Sequence, residues 1–194
     1  MKLYLTPGAC SLADHVAMHE AGLGFDTVKV DLGTRRTEDG HDFTQINPKG
    51  YVPALVLDDG QVLTENAAIL SWVAERAPKL APGGELGRIR LVEMLAFIAT
   101  ELHKPFVRCF FPTGDAEKEA ARKVIGLRLG FLAERLRGDF LFGSAFGVAD
   151  AYLFVMLRWA RMLGLDVPEP LAAFEERVSA RPAVQQALRH EGLA

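Results

Sequence analysis

The stretch Lys2-Leu3-Tyr4-Leu5-Thr6-Pro7-Gly8-Ala9-Cys10-Ser11-Leu12-Ala13 decides how the first half of the chain is read. Lys2 to Leu5 is a short apolar run stopped by Pro7 and Gly8, which mark a turn, so it is predicted as a strand. Leu12, Val16 and Ala17 follow at helical spacing, with Ser11 or a neighbour placed to cap the helix. A strand-to-helix turn leaves the first N–H groups of the helix unpaired, at the positive end of its dipole. Cys10 sits there. These residues alone leave two readings open. Cys10 is either a thiol held toward its anion, as at helix starts where thiol pKa values fall to ~3.5–7.5, or a small buried side chain filling space under the helix.

Working outward, the first helix ends near Gly22, and Thr27 to Asp31 alternates Val28 and Val30 with polar residues as a second strand. Strand, helix and strand in this order form a βαβ unit with parallel strands. Gly33 to Asp42, with Arg35, Arg36, Glu38 and Asp39, reads as a solvated loop, and Phe43 to Ile46 as a short helical turn. Asn47-Pro48-Lys49-Gly50 is a turn. The runs Tyr51 to Leu57 and Gln61 to Leu63, joined by Asp58-Asp59-Gly60, form a hairpin. Pro53 cannot donate to a ladder and belongs at the start or edge of its strand. Thr64-Glu65-Asn66 opens a helix to Arg76 with Ala68, Ile69, Trp72 and Val73 on one face.

Proline and glycine between Ala77 and Gly84 mark a linker, and nothing beyond it reads as strand. Helices are predicted over Glu85 to Phe110 (bent or broken near Pro105), Asp115 to Leu136, Val148 to Leu163, Glu169 to Ala180 and Ala183 to His190. The third of these is almost wholly apolar and belongs at the centre of an all-α domain. The expected division is an α/β domain over 1–77, a linker over 78–84 and a helical domain over 85–194.

Composition narrows the function. The chain has 194 residues, 49% hydrophobic and 24% charged, with a net charge of −3, and no basic block for nucleic acid. No apolar run approaches a membrane span or a signal peptide core. Cys10 and Cys109 lie far apart, with no Cys-x-x-Cys pair, so neither a dithiol motif nor a metal site is expected; free thiols point to the cytoplasm.

Pro7-Gly8-Ala9-Cys10-Ser11-Leu12, Asn47-Pro48-Lys49-Gly50-Tyr51-Val52-Pro53-Ala54-Leu55, Leu63-Thr64-Glu65, Ala99-Thr100-Glu101-Leu102-His103-Lys104, Ala149-Asp150-Ala151-Tyr152-Leu153-Phe154 and Ala180-Arg181-Pro182-Ala183-Val184-Gln185 together resemble the bacterial beta class of glutathione S-transferases, in order and over the whole chain. The resemblance implies a thioredoxin-like N-terminal domain followed by an all-α helical bundle. It implies glutathione as co-substrate, a small hydrophobic electrophile as the second substrate, and a homodimer. By the same resemblance Cys10 and His103 are the catalytic pair. Val52 before a cis Pro53 holds the cysteinyl backbone, Glu65 faces the ammonium and the Asn66 amide the carboxylate of the γ-glutamyl end. Arg35 takes the glycyl carboxylate, and Thr100 and Lys104 complete the site beside His103. Phe106, Phe110, Phe111 and Trp159 are candidate walls of the electrophile pocket, each also suited to core packing.

The expected reactions are attack of the glutathione thiolate on a soft electrophile, or exchange into a mixed disulfide with Cys10. The alternative is a non-catalytic module of the same fold that binds a ligand or protein. Four departures from the family bear on affinity: Leu5 where relatives often have Tyr, Ala96 for an Asn, Asn66 for a smaller residue, and Gly147 for a Ser or Thr capping the buried helix with Asp150.

Overall fold

The computed structural model describes residues 1–136 and 138–194. The N-terminal part contains β1 (Lys2–Leu5), α1 (Leu12–Glu20), β2 (Asp26–Asp31), β3 (Arg36–Thr37), β4 (Ala54–Val56), β5 (Val62–Thr64) and α2 (Asn66–Arg76). The strands form one sheet in the order β3-β2-β1-β4-β5, with β1 parallel to β2 and every other pairing antiparallel. Alternation along β1 sets the two faces. Leu3 and Leu5 enter the main core with α1 and α2, whereas Tyr4 turns to the opposite face with Val30, Phe43, Val52 and Ala54.

β3 lies inside the segment read as loop. It has two residues and no hydrophobic alternation; it is a strand because Thr37 and Arg36 pair with Val30 and Asp31. The pairing is short and polar, as edge strands tend to be.

The helical part contains α3 (Gly87–Phe97), a π-helical turn over Ile98–His103, α4 (Lys104–Phe110), α5 (Asp115–Arg135), α6 (Val148–Met162), α7 (Glu169–Ser179) and α8 (Pro182–Glu191). The expected distortion of the first long helix is present, but it precedes Pro105 rather than sitting on it. Proline lacks the N–H that would bond four residues back, and its ring crowds that carbonyl. The widened turn accommodates both. Val148 to Leu157 of α6 are all buried. At its start Asp150 accepts from the N–H of Gly147 at 2.7 Å and of Leu141 at 2.8 Å. A Cβ on Gly147 would lie 2.8 Å from the Leu80 carbonyl oxygen, so the capping side chain of relatives has no room here.

α1 joins the two parts. Arg181 donates to both carboxylate oxygens of Glu20 at 2.6 and 2.9 Å, and Glu191, at the other end of α8, reaches His15 at 2.8 Å. The two helices therefore run antiparallel. Among the described residues no helix is long and apolar enough to cross a membrane.

Candidate active site at the Cys10 turn

Gly8 takes φ +74°, a conformation that costs glycine little, and lets the chain reverse between β1 and α1. The Ser11 hydroxyl oxygen accepts from the Thr6 N–H at 3.2 Å and its hydroxyl donates to the Thr6 carbonyl at 3.4 Å. Ser11 thus closes the turn and does not cap α1, because its hydroxyl is spent backwards. The helical part then clamps the Gly8 peptide from both sides. Its N–H donates to Glu191 Oε2 at 2.8 Å, and its carbonyl accepts from Trp159 Nε1 at 2.8 Å.

Cys10 is 8% exposed, and its thiol lies 3.6 Å from the Val52 carbonyl oxygen, to which it donates. Burial, followed by the neighbouring Asp14, pushes the thiol pKa up to about 12. Of the two readings open in the sequence, the low-pKa one fails for the free protein. The positive end of α1 is too weak a partner to offset removal of a thiolate from water.

Asn66 explains part of this environment. Its amide donates to the Cys10 carbonyl at 2.8 Å and to Asp14 Oδ2 at 2.7 Å, both inside the protein. The expectation that this amide faces a bound carboxylate is therefore corrected: the side chain is turned inward and both its hydrogens are committed. Asp14 is fully buried, and burial raises its carboxyl well above the usual range.

The Val52–Pro53 bond is cis and lies directly before β4. Glu65 takes φ +72°, uncommon for a residue with a side chain, and α2 begins directly after it. Its carboxylate accepts from Lys49 Nζ at 2.6 Å and from the Tyr51 hydroxyl at 2.7 Å, and the Lys49 bond is the main cause of its lowered pKa. Lys49 also reaches the Thr64 hydroxyl at 2.9 Å. Reasoning on the sequence missed Lys49 and Tyr51. The hairpin carried a signal: with Ala54 opposite Thr64, the chain before β4 must pass beside Glu65. Arg35 comes to the same stretch of chain, where a Cβ on Gly50 would meet its Nε at 3.3 Å.

On the helical side, Thr100 is exposed and its hydroxyl donates to the Ala96 carbonyl at 3.0 Å. His103 Nδ1 lies 2.7 Å from the Tyr152 hydroxyl. Burial raises the Tyr152 pKa, so the phenol stays protonated. Among the described residues His103 is its one hydrogen-bond partner, so the hydroxyl donates to Nδ1 and the ring proton sits on Nε2. Burial, with Lys104 adding to it, lowers the His103 pKa to about 4. The ring is a neutral N–H donor at neutral pH.

The four aromatic candidates fall in different environments. Phe106 is 0% exposed and belongs to the core, because α4 turns it inward against the Trp159 ring, 5.9 Å between centroids. Trp159 is itself buried, whereas Phe111 is 79% exposed. Phe110, half-buried and edge-on to Trp159 at 5.2 Å, keeps a place at the surface of this cluster.

Comparison with known proteins now decides the family. Residues 9–76 match the glutathione S-transferase N-terminal domain, and residues 96–182 match the C-terminal domain. The chain belongs to the glutathione S-transferase family. It is 45% identical over 200 residues to "Glutathione S-transferase GstA" of Escherichia coli, with 100% of each chain covered. It is 48% identical to a solved sphingomonad glutathione S-transferase complexed with glutathione, with a TM-score of 0.94 and 100% of each chain covered. A beta-class enzyme of Sphingomonas chungbukensis is 49% identical, again with a TM-score of 0.94 and 100% of each chain covered.

In this glutathione S-transferase the fold brings Cys10 to Val52 and Asn66, Glu65 to Lys49 and Tyr51, Arg35 to Gly50, and His103 to Tyr152 and Trp159. The groups are also coupled electrically. The Glu65 charge acts on Cys10, His103 and Tyr152, and the Lys104 charge acts on Glu65 and His103.

Proposed function

We propose that this transferase conjugates the glutathione thiolate to small hydrophobic electrophiles, with Cys10 as a hydrogen-bond donor rather than a nucleophile. The observation that carries this reading is the thiol of Cys10, buried on the Val52 carbonyl with its pKa pushed up to about 12. A thiol so placed is almost wholly protonated at neutral pH and is a poor partner for disulfide exchange. It remains able to donate to an anionic sulfur. A free thiol of pKa ~8.5 is half ionised at pH 7 once its anion gains roughly 2 kcal/mol, which one or two donors supply. His103, neutral with its proton on Nε2, is the second donor of this proposal. The glutathione thiolate then attacks the electrophilic carbon; a leaving group departs with its bonding pair, and the thiol proton passes to solvent.

Glutathione lies in this proposal as an extended peptide whose main chain bonds to the Val52 backbone ahead of β4. The Glu65 carboxylate takes the ammonium, the first N–H groups of α2 at Asn66 take the γ-glutamyl carboxylate, and Arg35 takes the glycyl carboxylate. Thr100 and Lys104 border the site, and Phe110 faces the electrophile. The sphingomonad transferase solved with glutathione supports this binding. A homodimer, the cytoplasm as its location, and the division into domains at 1–77 and 85–194 complete the proposal.

The test is intact mass after incubation with glutathione, with and without reductant, beside calorimetry and turnover of an activated aryl chloride. Saturable binding and turnover without an adduct are expected, with binding retained in Cys10→Ala. A reductant-sensitive adduct that needs Cys10 would move the reaction to exchange. Failure to bind glutathione at millimolar concentration would leave a non-catalytic binding module.

A further inference from the structure

His15 and His19 stand four residues apart on α1, hence on one helical face, and α8 brings His190 against them. The ring centroids of His15 and His19 are 4.9 Å apart, those of His19 and His190 5.4 Å, and those of His15 and His190 5.8 Å. One nitrogen from each ring lies within 4.8 Å of the other two. Among the described residues the buried Nε2 atoms of His15 and His19 have no hydrogen-bond partner. Buried polar atoms without a partner are rare, and each costs about 1–3 kcal/mol.

For His15 the tautomer follows from its neighbour. Nδ1 lies 2.8 Å from Glu191 Oε1, and a carboxylate only accepts, so Nδ1 carries a proton and Nε2 is the ring nitrogen left to take a ligand. The second oxygen of Glu191 is fixed by the Gly8 N–H at 2.8 Å. A carboxylate behind an imidazole whose far nitrogen is free is the arrangement that orients a metal-binding histidine. Phe25 closes the inner side, its ring centroid 5.8 Å from that of His15 and 5.0 Å from that of His19, while His190 is exposed on the outer side.

We propose that His15, His19 and His190 form a three-histidine site for Zn2+ that staples α1 to α8. Imidazole nitrogens suit this ion, at Zn–N distances of about 2.0–2.1 Å and a fourth position open to water. Nitrogens around such an ion stand about 3.4 Å apart in a tetrahedron of that radius, so the three rings, whose nitrogens lie within 4.8 Å of one another, draw together to close the site. The site is separate from the Cys10 turn and takes no part in the conjugation proposed above. Its work is mechanical: α1 belongs to the sheet-bearing part and α8 to the helical part.

The chelator-treated chain, titrated with Zn2+ against a chromophoric chelator, is expected to bind one ion per chain, and Co2+ in its place is expected to give the visible bands of a tetrahedral site. His190→Ala and His19→Ala are each expected to weaken Zn2+ binding by about tenfold or more and to lose the rise in Tm that saturating Zn2+ gives the parent. His41→Ala, at a histidine outside the cluster, is expected to change neither. His190 is exposed, so its variant keeps the test open if His19→Ala fails to fold. Absence of one-to-one binding, or binding that survives His190→Ala unchanged, overturns the proposal.

Discussion

Replacing Asn66 by alanine removes one side chain that donates twice inside the protein, to the Cys10 carbonyl and to Asp14 Oδ2. The two losses are unequal. The Cys10 carbonyl still accepts from the Ala13 N–H at 3.0 Å, so its share is an ordinary net hydrogen bond of about 0.5–1.5 kcal/mol. Asp14 is different, because its Oδ1 already has no partner among the described residues and Asn66 holds the other oxygen. Leaving that buried carboxyl unsatisfied costs about 1–3 kcal/mol, for a total near 2–4 kcal/mol. Removing Asp14 first removes the demand, so the double variant Asp14→Ala/Asn66→Ala is expected to show a coupling of about 1–2 kcal/mol. Urea unfolding followed by both fluorescence and circular dichroism measures it, with coincident curves as the check on two-state behaviour. The carboxyl pKa of Asp14 is raised in the folded state. Its contribution is therefore full below the unfolded carboxyl pKa of ~3.9 and is lost as pH rises through the folded one. The cost of Asp14→Ala alone should accordingly shrink from pH 4 toward pH 8. A loss under about 0.5 kcal/mol for Asn66→Ala, or a cycle additive within about 0.3–0.5 kcal/mol, would refute the reasoning.

Iodoacetamide at pH 7.5 is expected to alkylate Cys10 at least about tenfold more slowly than a free thiol, because burial holds it protonated; a faster rate, read by mass spectrometry, contradicts that. Tyr152→Phe leaves His103 Nδ1 without its donor and is expected to cost about 1 kcal/mol of stability. It should also lower kcat severalfold with little change in KM for glutathione; unchanged kcat would separate Tyr152 from the chemistry. Gly147→Ser supplies a better capping side chain, yet its Cβ would meet the Leu80 carbonyl oxygen at 2.8 Å. Overpacking of about 1 kcal/mol or more should outweigh the cap, so a raised Tm would show that the Leu80 turn gives way.

The elements that were legible in the sequence announce themselves locally. Cys10 at a strand-to-helix turn, the hairpin around Asp58-Asp59-Gly60 and the apolar α6 all follow from periodicity and turn chemistry within a few residues. What escaped has no periodic or turn signature of its own. β3 is two residues without alternation, defined only by its pairing with Val30 and Asp31, and the inward turn of Asn66 depends on Asp14, 52 residues earlier. Helix-start logic placed Cys10 near a positive dipole but carried no information on how deeply α6 and the Val52 backbone would bury it. The three-histidine cluster divides the same way: His15 and His19 are a visible i, i+4 pair, while His190 joins them only through the packing of α8 on α1.

Trp159 gives the molecule a built-in optical gauge. Its indole N–H crosses from α6 to the Gly8 carbonyl, and its ring stands 5.3 Å from that of His103. The chain has two tryptophans, and the other, Trp72, lies on α2 beneath the Arg76 guanidinium at 3.7 Å. With Trp72 replaced by phenylalanine, all remaining indole emission arises at the seam between the turn and the helices. A movement of the Gly8 peptide by a fraction of a bond length then becomes a change of colour or intensity, readable in milliseconds and without a label.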